Sequence, residues 1–340
     1  FLAQNTYTHL EHHPTINLSD LPENPSTYGL AQGLQVAVNY YTKASQPDYD
    51  PCILFLISSS EPNIFDQRHL EYAFKELQPS VPVFRLSLSE IFTHTKIRDT
   101  QKRELLYHLP SCPSKIYEVA VVYFRAGYSP SHYPDSSCWN ARLNIERSNA
   151  IKCPSILTQL AGIKKVQQVL ATPTSSNPPV LSRFFLSDTR AQMNIEDTFT
   201  AIFPLDDSPA GLEAQKLATD SDLCKGYVLK PQREGGGNNI YGSAIPSFLL
   251  STPKAQWKSF ILMKLIFTPQ VQNHLLRNGV IQSTGVICEL GVYGICIWNQ
   301  ATKEILENEQ AGYLLRTKSD QSEEGGVASG FGFMDSCYLS

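Results

Sequence analysis

Short dense apolar runs alternate with amphipathic stretches in the first half of the chain. Cys52–Ser58 is a continuous apolar run of strand length. Ile64–Leu77 follows a helical period, with Phe65, Tyr72, Phe74 and Leu77 at its apolar positions. Val81–Leu88 and Val119–Arg125 predict two further strands. Apolar strands alternating with helices predict a parallel sheet, and ligands of such sheets gather at the carboxyl ends of the strands. Two polar segments fall there: Glu61-Pro62-Asn63 and Arg125-Ala126-Gly127-Tyr128. Upstream, residues 1–48 read as loop and helix. Downstream, Asn144 to Ala171 reads as helical, Thr172 to Pro179 as a loop rich in Pro, Ser and Thr, and the stretch to Cys224 as helix and loop. From Gly226 the pattern turns to strands, at Gly226–Lys230, Ser259–Ile266, Val280–Leu290, Tyr293–Trp298 and Leu306–Arg316. They are expected to be antiparallel, with turns at Gly235-Gly236-Gly237 and Leu290-Gly291. There is no internal repeat.

A length of 340 residues suggests two or more packed units. With 42% hydrophobic and 18% charged residues the composition is that of a globular protein rather than a disordered one. The formal net charge of -4 carries no basic excess, so no nucleic-acid partner is expected. No apolar run approaches the roughly 20 residues that span a bilayer, so no membrane partner is expected either. Phe1 to His13 lack the charged start and apolar centre of a signal peptide, and there is no initiator Met; Phe1 is expected to be an internal residue of a longer chain or a processed end. The eight cysteines form no CxxC pair and none stands beside histidines at metal-site spacing. They read as small buried hydrophobes in a reducing compartment, and a cytoplasmic protein is expected.

The segment richest in chemistry runs from Val228 to Gly242: VLKPQREGGGNNIYG. A strand delivers Lys230, and the triple glycine lets backbone come close to a ligand without Cβ interference. Successive N–H groups there form a concave anion site. Glu234 is an oxygen ligand suited to Mg2+. A bare triple glycine is equally a flexible surface turn; the lysine before it, the glutamate inside it and the two asparagines after it turn the reading towards a triphosphate. The loop is not a P-loop, since GxxxxGK[ST] is absent, nor a dinucleotide fingerprint, since GxGxxG is absent.

Lys230 through Tyr241 closely resembles the triple-glycine loop of the eukaryotic glutathione synthetases, of the ATP-grasp superfamily. The resemblance extends, in the same order, over Asn63-Ile64-Phe65-Asp66-Gln67-Arg68, Val121-Val122-Tyr123-Phe124-Arg125 with Gly127-Tyr128, Glu146-Arg147-Ser148, Lys152-Cys153-Pro154, Thr158 to Gly162 with Lys164 to Gln168, Leu314 to Lys318 and Gly325 to Ala328. These blocks span nearly all of the chain. The resemblance implies an α/β (α+β) ATP-grasp fold, with an inserted parallel-sheet substrate domain and an antiparallel lid. It divides the chain into 1–48 (helical part of the core), 49–147 (substrate-binding domain), 148–225 (helical region of the core), 226–275 (glycine-rich lid region) and 276–340 (C-terminal part of the core).

It also implies roles. Lys164 and Lys230 contact ATP phosphates and, with Arg316, act in catalysis. Pro231, Gln232, Arg233, Glu234, Gly235, Gly236, Gly237, Asn238 and Asn239, with Tyr241, close over the nucleotide, and Glu234 holds Mg2+. Met263, Lys264, Leu265 and Ile266 meet the adenine; Glu289, Lys318 and Glu324 are further nucleotide positions. Glu61, Pro62, Asn63, Gln67, Arg125, Ala126, Gly127 and Tyr128 fall at peptide-substrate positions, and Arg316, Val327 and Ala328 near the substrate carboxyl. Taken singly, several have plainer readings: Lys164, Lys165, Gln67 and Arg68 as solvated helix faces, Tyr128 and Tyr241 as packing aromatics. Glu289 lies in an apolar strand, where a buried carboxylate needs a partner, a ligand or metal being one.

The activity implied is ligation of γ-glutamyl-cysteine and glycine through an acyl phosphate. A carboxylate is a poor electrophile until it is phosphorylated, and phosphoryl transfer is chiefly positioning and charge neutralisation. The acyl phosphate must be kept from water, so a closing lid is expected. The Val327-Ala328 pair resembles that of glycine-using members rather than those using β-alanine. A homodimer is implied, as is a further N-terminal stretch that brings two other magnesium ligands, on this chain or as a separate fragment. The sequence departs from the family at Lys264 and Leu265, where a Glu-Lys pair is usual, and at Ala126 and Glu324, where Asp is usual. Two other readings stay open: a truncated or degenerate nucleotide-binding chain, and an ATP-grasp ligase for another peptide acid or acceptor.

Overall fold

A computed structural model describes residues 18–61, 63–172, 180–233, 237–277, 279–322, 325–327, 330–337 and 339. They belong to two compact units, Phe1–Ser155 with Gln270–Ser340 and Ile156–Pro269.

The first unit opens with α1 (Ser26–Ser45), β1 (Pro51–Leu56), α2 (Ile64–Leu77), β2 (Val83–Leu86), α3 (Leu88–His94), β3 (Thr95–Ile97), β4 (Leu105–His108), β5 (Ile116–Phe124), α4 (Ser136–Arg147) and β6 (Ile151–Cys153). The sheet order is β2-β1-β5-β4-β3, with β6 also on β5. β1 runs parallel to β2 and β5, and β6 parallel to β5. β3 and β4 are antiparallel, so the expected parallel sheet is mixed at one edge. Their connection is too short for the crossover that parallel pairing needs.

β1 is buried from Cys52 to Leu56 because helices cover both faces of the sheet. On one side Cys52, Leu54, Leu56, Val119 and Val122 pack with Ile91 of α3 and Ala141 and Ile145 of α4. On the other, Ile53, Phe55 and Val121 pack with Leu34 and Val38 of α1 and Leu70 and Phe74 of α2. The buried stripe of α2 is Gln67, Leu70 and Phe74. Phe65 and Tyr72, expected on its apolar face, are exposed; the helix turns Gln67 inward in their place.

Glu118 of β5 is buried among this core. Its Oε1 accepts a hydrogen bond from Tyr41 Oη at 2.8 Å, whereas Oε2 has no partner among the described residues. Burial, with Glu104 nearby, holds its carboxyl above the usual glutamate range. The folded state therefore binds this proton more tightly than the unfolded state. The contribution is full below the ordinary glutamate pKa and is lost as pH rises through the raised folded value. Glu118→Gln is expected to flatten that part of the stability–pH curve, as read by denaturant unfolding at a series of pH values. A curve of unaltered slope rejects the assignment.

The second unit contains α5 (Ile156–Ala161), α6 (Lys164–Ala171), α7 (Thr189–Glu196), β7 (Ile202–Pro204), α8 (Pro209–Thr219), β8 (Tyr227–Pro231), β9 (Ile240–Tyr241), α9 (Ala244–Ser251) and β10 (Phe260–Lys264). The helical reading of Asn144 to Ala171 gives way to α4, β6, α5 and α6. Pro154 has no N–H to continue a helix, and Gly162 follows the end of α5. The sheet order is β7-β10-β8-β9, antiparallel throughout. Leu229 and Leu262 pack under Ala214 and Ala218 of α8 and Ile245 and Leu249 of α9.

The chain then returns to the first unit with β11 (Val271–Arg277), β12 (Val280–Trp298), β13 (Ile305–Ser319) and β14 (Phe333–Asp335), an antiparallel sheet in that order. The expected turn at Leu290-Gly291 is absent: Gly291 pairs with Leu314 in an unbroken β12. The irregularity comes three residues later, where Tyr293 pairs with Gly312 and Gly294 with Gln310, leaving Ala311 as a bulge. α1 docks there. A Cβ on Gly29 would stand 2.5 Å from the Ala311 carbonyl oxygen, so glycine is required for that approach.

Candidate functional site

A cavity of about 410 Å3 opens at the carboxyl ends of β1 and β5. Leu56, the last residue of β1, accepts backbone N–H bonds from Arg125 (2.8 Å) and Ala126 (3.1 Å), which pins the loop after β5 beside it. Gly127 takes φ +88°, a conformation glycine adopts at no steric cost. Its N–H donates to His132 Nδ1 at 2.9 Å, and its carbonyl accepts from Tyr133 Oη at 2.7 Å. Tyr133 is itself stacked on Trp139, with ring centroids 4.1 Å apart. The loop is thus fixed from both ends, and it presents Arg125, Ala126, Tyr128 and His132 to the cavity.

The opposite wall is the start of α2. Glu61 Oε1 accepts the Asn63 N–H at 3.0 Å, and Asn63 and Gln67 stand on the first turns of the helix. A helix N-terminus favours negative charge. Arg125 adds a cation that is largely enclosed. Burial pulls its guanidinium down, but Tyr123, with Asp66 and Glu61, outweighs burial and leaves it raised, so it stays charged. Its Nη1 reaches Tyr123 Oη at a long 3.4 Å, and its Nε is buried without a hydrogen-bond partner among the described residues. A buried guanidinium with unmet donors is suited to a carboxylate.

The structure therefore gathers Glu61, Asn63, Gln67, Arg125, Ala126 and Tyr128 around one cavity, with Gly127 shaping its loop. Ala126 is buried and offers backbone only. The cavity is also lined by Ser58, Ser60, Phe124 and His132, which sequence reasoning missed. Ser58 and Ser60 stand just after β1, which was the available signal for them; His132 carries none.

In the second unit, α6 meets the segment after β8. Lys164 Nζ donates to the Arg233 carbonyl at 2.6 Å, and the Lys165 N–H donates to Gln232 Oε1 at 2.9 Å. Lys230 pairs with Ile261 of β10, while Leu229, facing the other way, is buried in the core. Asn239 Nδ2 donates to Tyr241 Oη at 3.2 Å. The start of α6 thus lies against Gln232 and Arg233, on the segment that leads from β8 into the glycines. Gly237 has φ +81° and open space around it. Met263 pairs with Val228 and Ile202; Lys264 ends β10 with its side chain exposed, and Ile266 is exposed. Leu265 donates its N–H to the Gly226 carbonyl. Pro62, Glu234, Gly235, Gly236, Glu324 and Ala328 lie outside the described residues. Among the described residues no group of three or more His, Cys, Asp or Glu is arranged to hold a metal ion.

A third group sits on β12 and β13. Glu289 and Arg316 are directly opposed in register and form an ion pair through Arg316 Nη2 and Glu289 Oε1. The expectation that Glu289 is buried is corrected: its side chain is 62% exposed, and the partner it needed is Arg316. Gly325 lies against both Lys318 and Glu289; a Cβ there would stand 3.6 Å from the Lys318 stem. Val327 closes a turn, accepting the Gly330 N–H at 3.0 Å.

The family model for the ATP-binding domain of eukaryotic glutathione synthase matches residues 1–339. The chain is 40% identical over 332 residues to the glutathione synthetase large chain of Schizosaccharomyces pombe, covering 94% of this chain and 63% of that one. It is 37% identical over 325 residues to the glutathione synthetase of Homo sapiens, covering 94% and 62%. In structure it is similar to a glutathione synthetase-like effector from Globodera pallida in its apo form, with a TM-score of 0.68 at 18% identity, covering 96% of this chain and 64% of that one. That likeness gives the fold, an ATP-grasp type with mixed parallel and antiparallel sheets. The chain spans less than two thirds of the length of each of these relatives.

Proposed function

Because this chain belongs to the eukaryotic glutathione synthase family, we propose that it is the greater part of an ATP-dependent ligase that joins glycine to γ-glutamyl-cysteine. The observation that carries the reading is the cavity at the carboxyl ends of β1 and β5. There a charged, largely enclosed Arg125 with an unmet donor, the amide of Gln67 and the start of α2 face one space. That is an arrangement for a peptide that carries carboxylates. Glu61 supplies a carboxylate for the ammonium group of the same ligand.

ATP, when bound, supplies the phosphoryl group that makes a peptide carboxylate reactive towards an amine. Lys164 and Lys230 hold its phosphates and neutralise charge, and Tyr241, Asn239 and the segment from Pro231 to Gly237 cover them. Glu234 would hold Mg2+, a hard cation suited to carboxylate and phosphate oxygens. On β12 and β13, Glu289 and Lys318 are taken as nucleotide contacts and Arg316 as a contact of the substrate carboxyl. Val327 and Ala328 set the acceptor as glycine. The intact enzyme works in the cytoplasm as a homodimer, and two further Mg2+ ligands come from a stretch beyond this chain. The relative named as a large chain favours a second polypeptide as its source.

The test is to mix the intact protein with ATP, Mg2+, γ-glutamyl-cysteine and glycine and to follow ADP release. Release that requires both γ-glutamyl-cysteine and glycine is expected, and β-alanine is expected to be the poorer acceptor. Nucleotide binding without turnover supports a degenerate binding chain instead, and turnover with a different peptide acid supports a ligase of other specificity.

A further inference from the structure

Arg85, on β2, stands behind the cavity rather than on its surface, and nothing in the proposed reaction so far uses it. Its Nη2 donates to Gln67 Oε1 at 2.5 Å. Gln67 is 2% exposed, and that exposure is to the cavity it lines. A guanidinium has donors only, so the Gln67 atom that meets Arg85 must be the carboxamide oxygen. The Nε2 group is thereby left for the cavity, and it makes no hydrogen bond to protein among the described residues. Arg85 Nη1 is buried without a hydrogen-bond partner, and Arg85 forms no ion pair, among the described residues. An unheld glutamine amide turns about its last torsion and offers oxygen or nitrogen with similar ease. Offered to a carboxylate, the oxygen repels and the nitrogen binds.

We propose that Arg85 is a positioning residue of the peptide site: it locks the Gln67 carboxamide so that its NH2 faces a carboxylate of the bound peptide. The proposal rests on the reading of the cavity as a peptide-acid site. It extends that reading to a side chain that does not touch the ligand, and it explains why a strand of four residues, Val83–Leu86, carries an arginine bonded to Gln67.

The test is a double-mutant cycle in the intact protein, with γ-glutamyl-cysteine as the probe in titration calorimetry. Arg85→Met and Gln67→Ala are each expected to weaken binding by about tenfold, the worth of one hydrogen bond to a charged group. The double variant is expected to bind no worse than Gln67→Ala alone. Arg85→Gln, whose amide still donates to the Gln67 oxygen, is expected to recover most of the loss. Losses that multiply in the double variant, or an Arg85→Gln as weak as Arg85→Met, overturn the proposal, because both indicate that Arg85 acts independently of Gln67.

A second readout needs no ligand. The side-chain amide resonances of Gln67 are expected to shift in Arg85→Met and to stay near their wild-type positions in Arg85→Gln. Should the wild type bind no γ-glutamyl-cysteine, the substrate reading falls while these resonances still decide the role of Arg85; unmoved in Arg85→Met, they overturn it. If Arg85→Met does not fold, Arg85→Ala, which likewise removes every donor, takes its place in both measurements, with weakened binding and shifted resonances expected, and unchanged ones overturning the proposal.

Discussion

Lys230→Met is expected to lower ATP-dependent turnover by about 100- to 1,000-fold, the usual effect of removing one charged stabiliser of a transferring group, while the fold stays intact. Neighbouring residues of β8 face opposite sides. Leu229 is fully buried against α8 and α9, and Lys230 faces the other side. Backbone pairing of Lys230 with Ile261 does not depend on the side chain. Methionine keeps most of the stem and deletes the ammonium group, charge and donors alike. Lys164 remains nearby, tied to the Arg233 carbonyl at 2.6 Å, so the segment after β8 keeps its anchor. The loss therefore belongs to the proposed phosphate contact. Steady-state ADP release with both substrates saturating reads it, alongside thermal unfolding. Unchanged turnover removes Lys230 from the phosphate role, and a lowered unfolding midpoint reassigns it to the fold.

What the sequence made legible depended on how many faces of an element are buried. β1 and β5 are covered on both faces, so Cys52–Leu56 and Val119–Phe124 are continuously apolar and no register had to be guessed. The hairpin of β3 and β4 went unread because its strands have three and four residues, too few to show a period. Val81–Leu88 was read too long: Ser87 begins α3 instead, through a capping box in which its hydroxyl accepts the Glu90 N–H and Glu90 accepts the Ser87 N–H. The turn predicted at Leu290-Gly291 failed because Gly291 is an ordinary paired residue of a long strand, opposite Leu314, and only the partner strand reveals that.

The site divided in the same way. Glu61, Asn63, Arg125 and Tyr128 were legible because they follow apolar strands directly, where a parallel sheet delivers its ligand contacts; Gln67 stood out only through the family resemblance, since alone it reads as a solvated helix position and it is in fact buried. Arg85 was not, since a charged residue inside a short strand has no sequence mark that separates an inward role from an exposed edge. Glu289 was misplaced for a related reason. Its neighbours are apolar, but the strand projects far enough that Leu290 and Val292 beside it are exposed too, and the carboxylate found its partner across the ladder in Arg316.

Arg125→Met is expected to weaken γ-glutamyl-cysteine binding by about 100-fold, or ~2–3 kcal/mol for hydrogen bonds to a charged group, with nucleotide affinity unaffected. The guanidinium is enclosed, charged and poorly satisfied: one long bond to Tyr123 Oη and a buried Nε with none among the described residues. Such a cation does little for the empty protein, because enclosing charge without a partner is itself unfavourable. The loop it begins is held by backbone bonds from residues 125 and 126 to Leu56 and by Tyr133 and His132 at Gly127, none of which uses the Arg125 side chain. Methionine should therefore leave the unfolding midpoint of the ligand-free protein unchanged or raised. Arg125→Lys, a point charge in place of a planar fork, is expected to regain part of the affinity but not all. Calorimetric titration with the peptide and thermal unfolding without it separate the two roles. A fallen midpoint with intact peptide binding would make Arg125 a structural residue, and the cavity would then need another cation to hold its ligand.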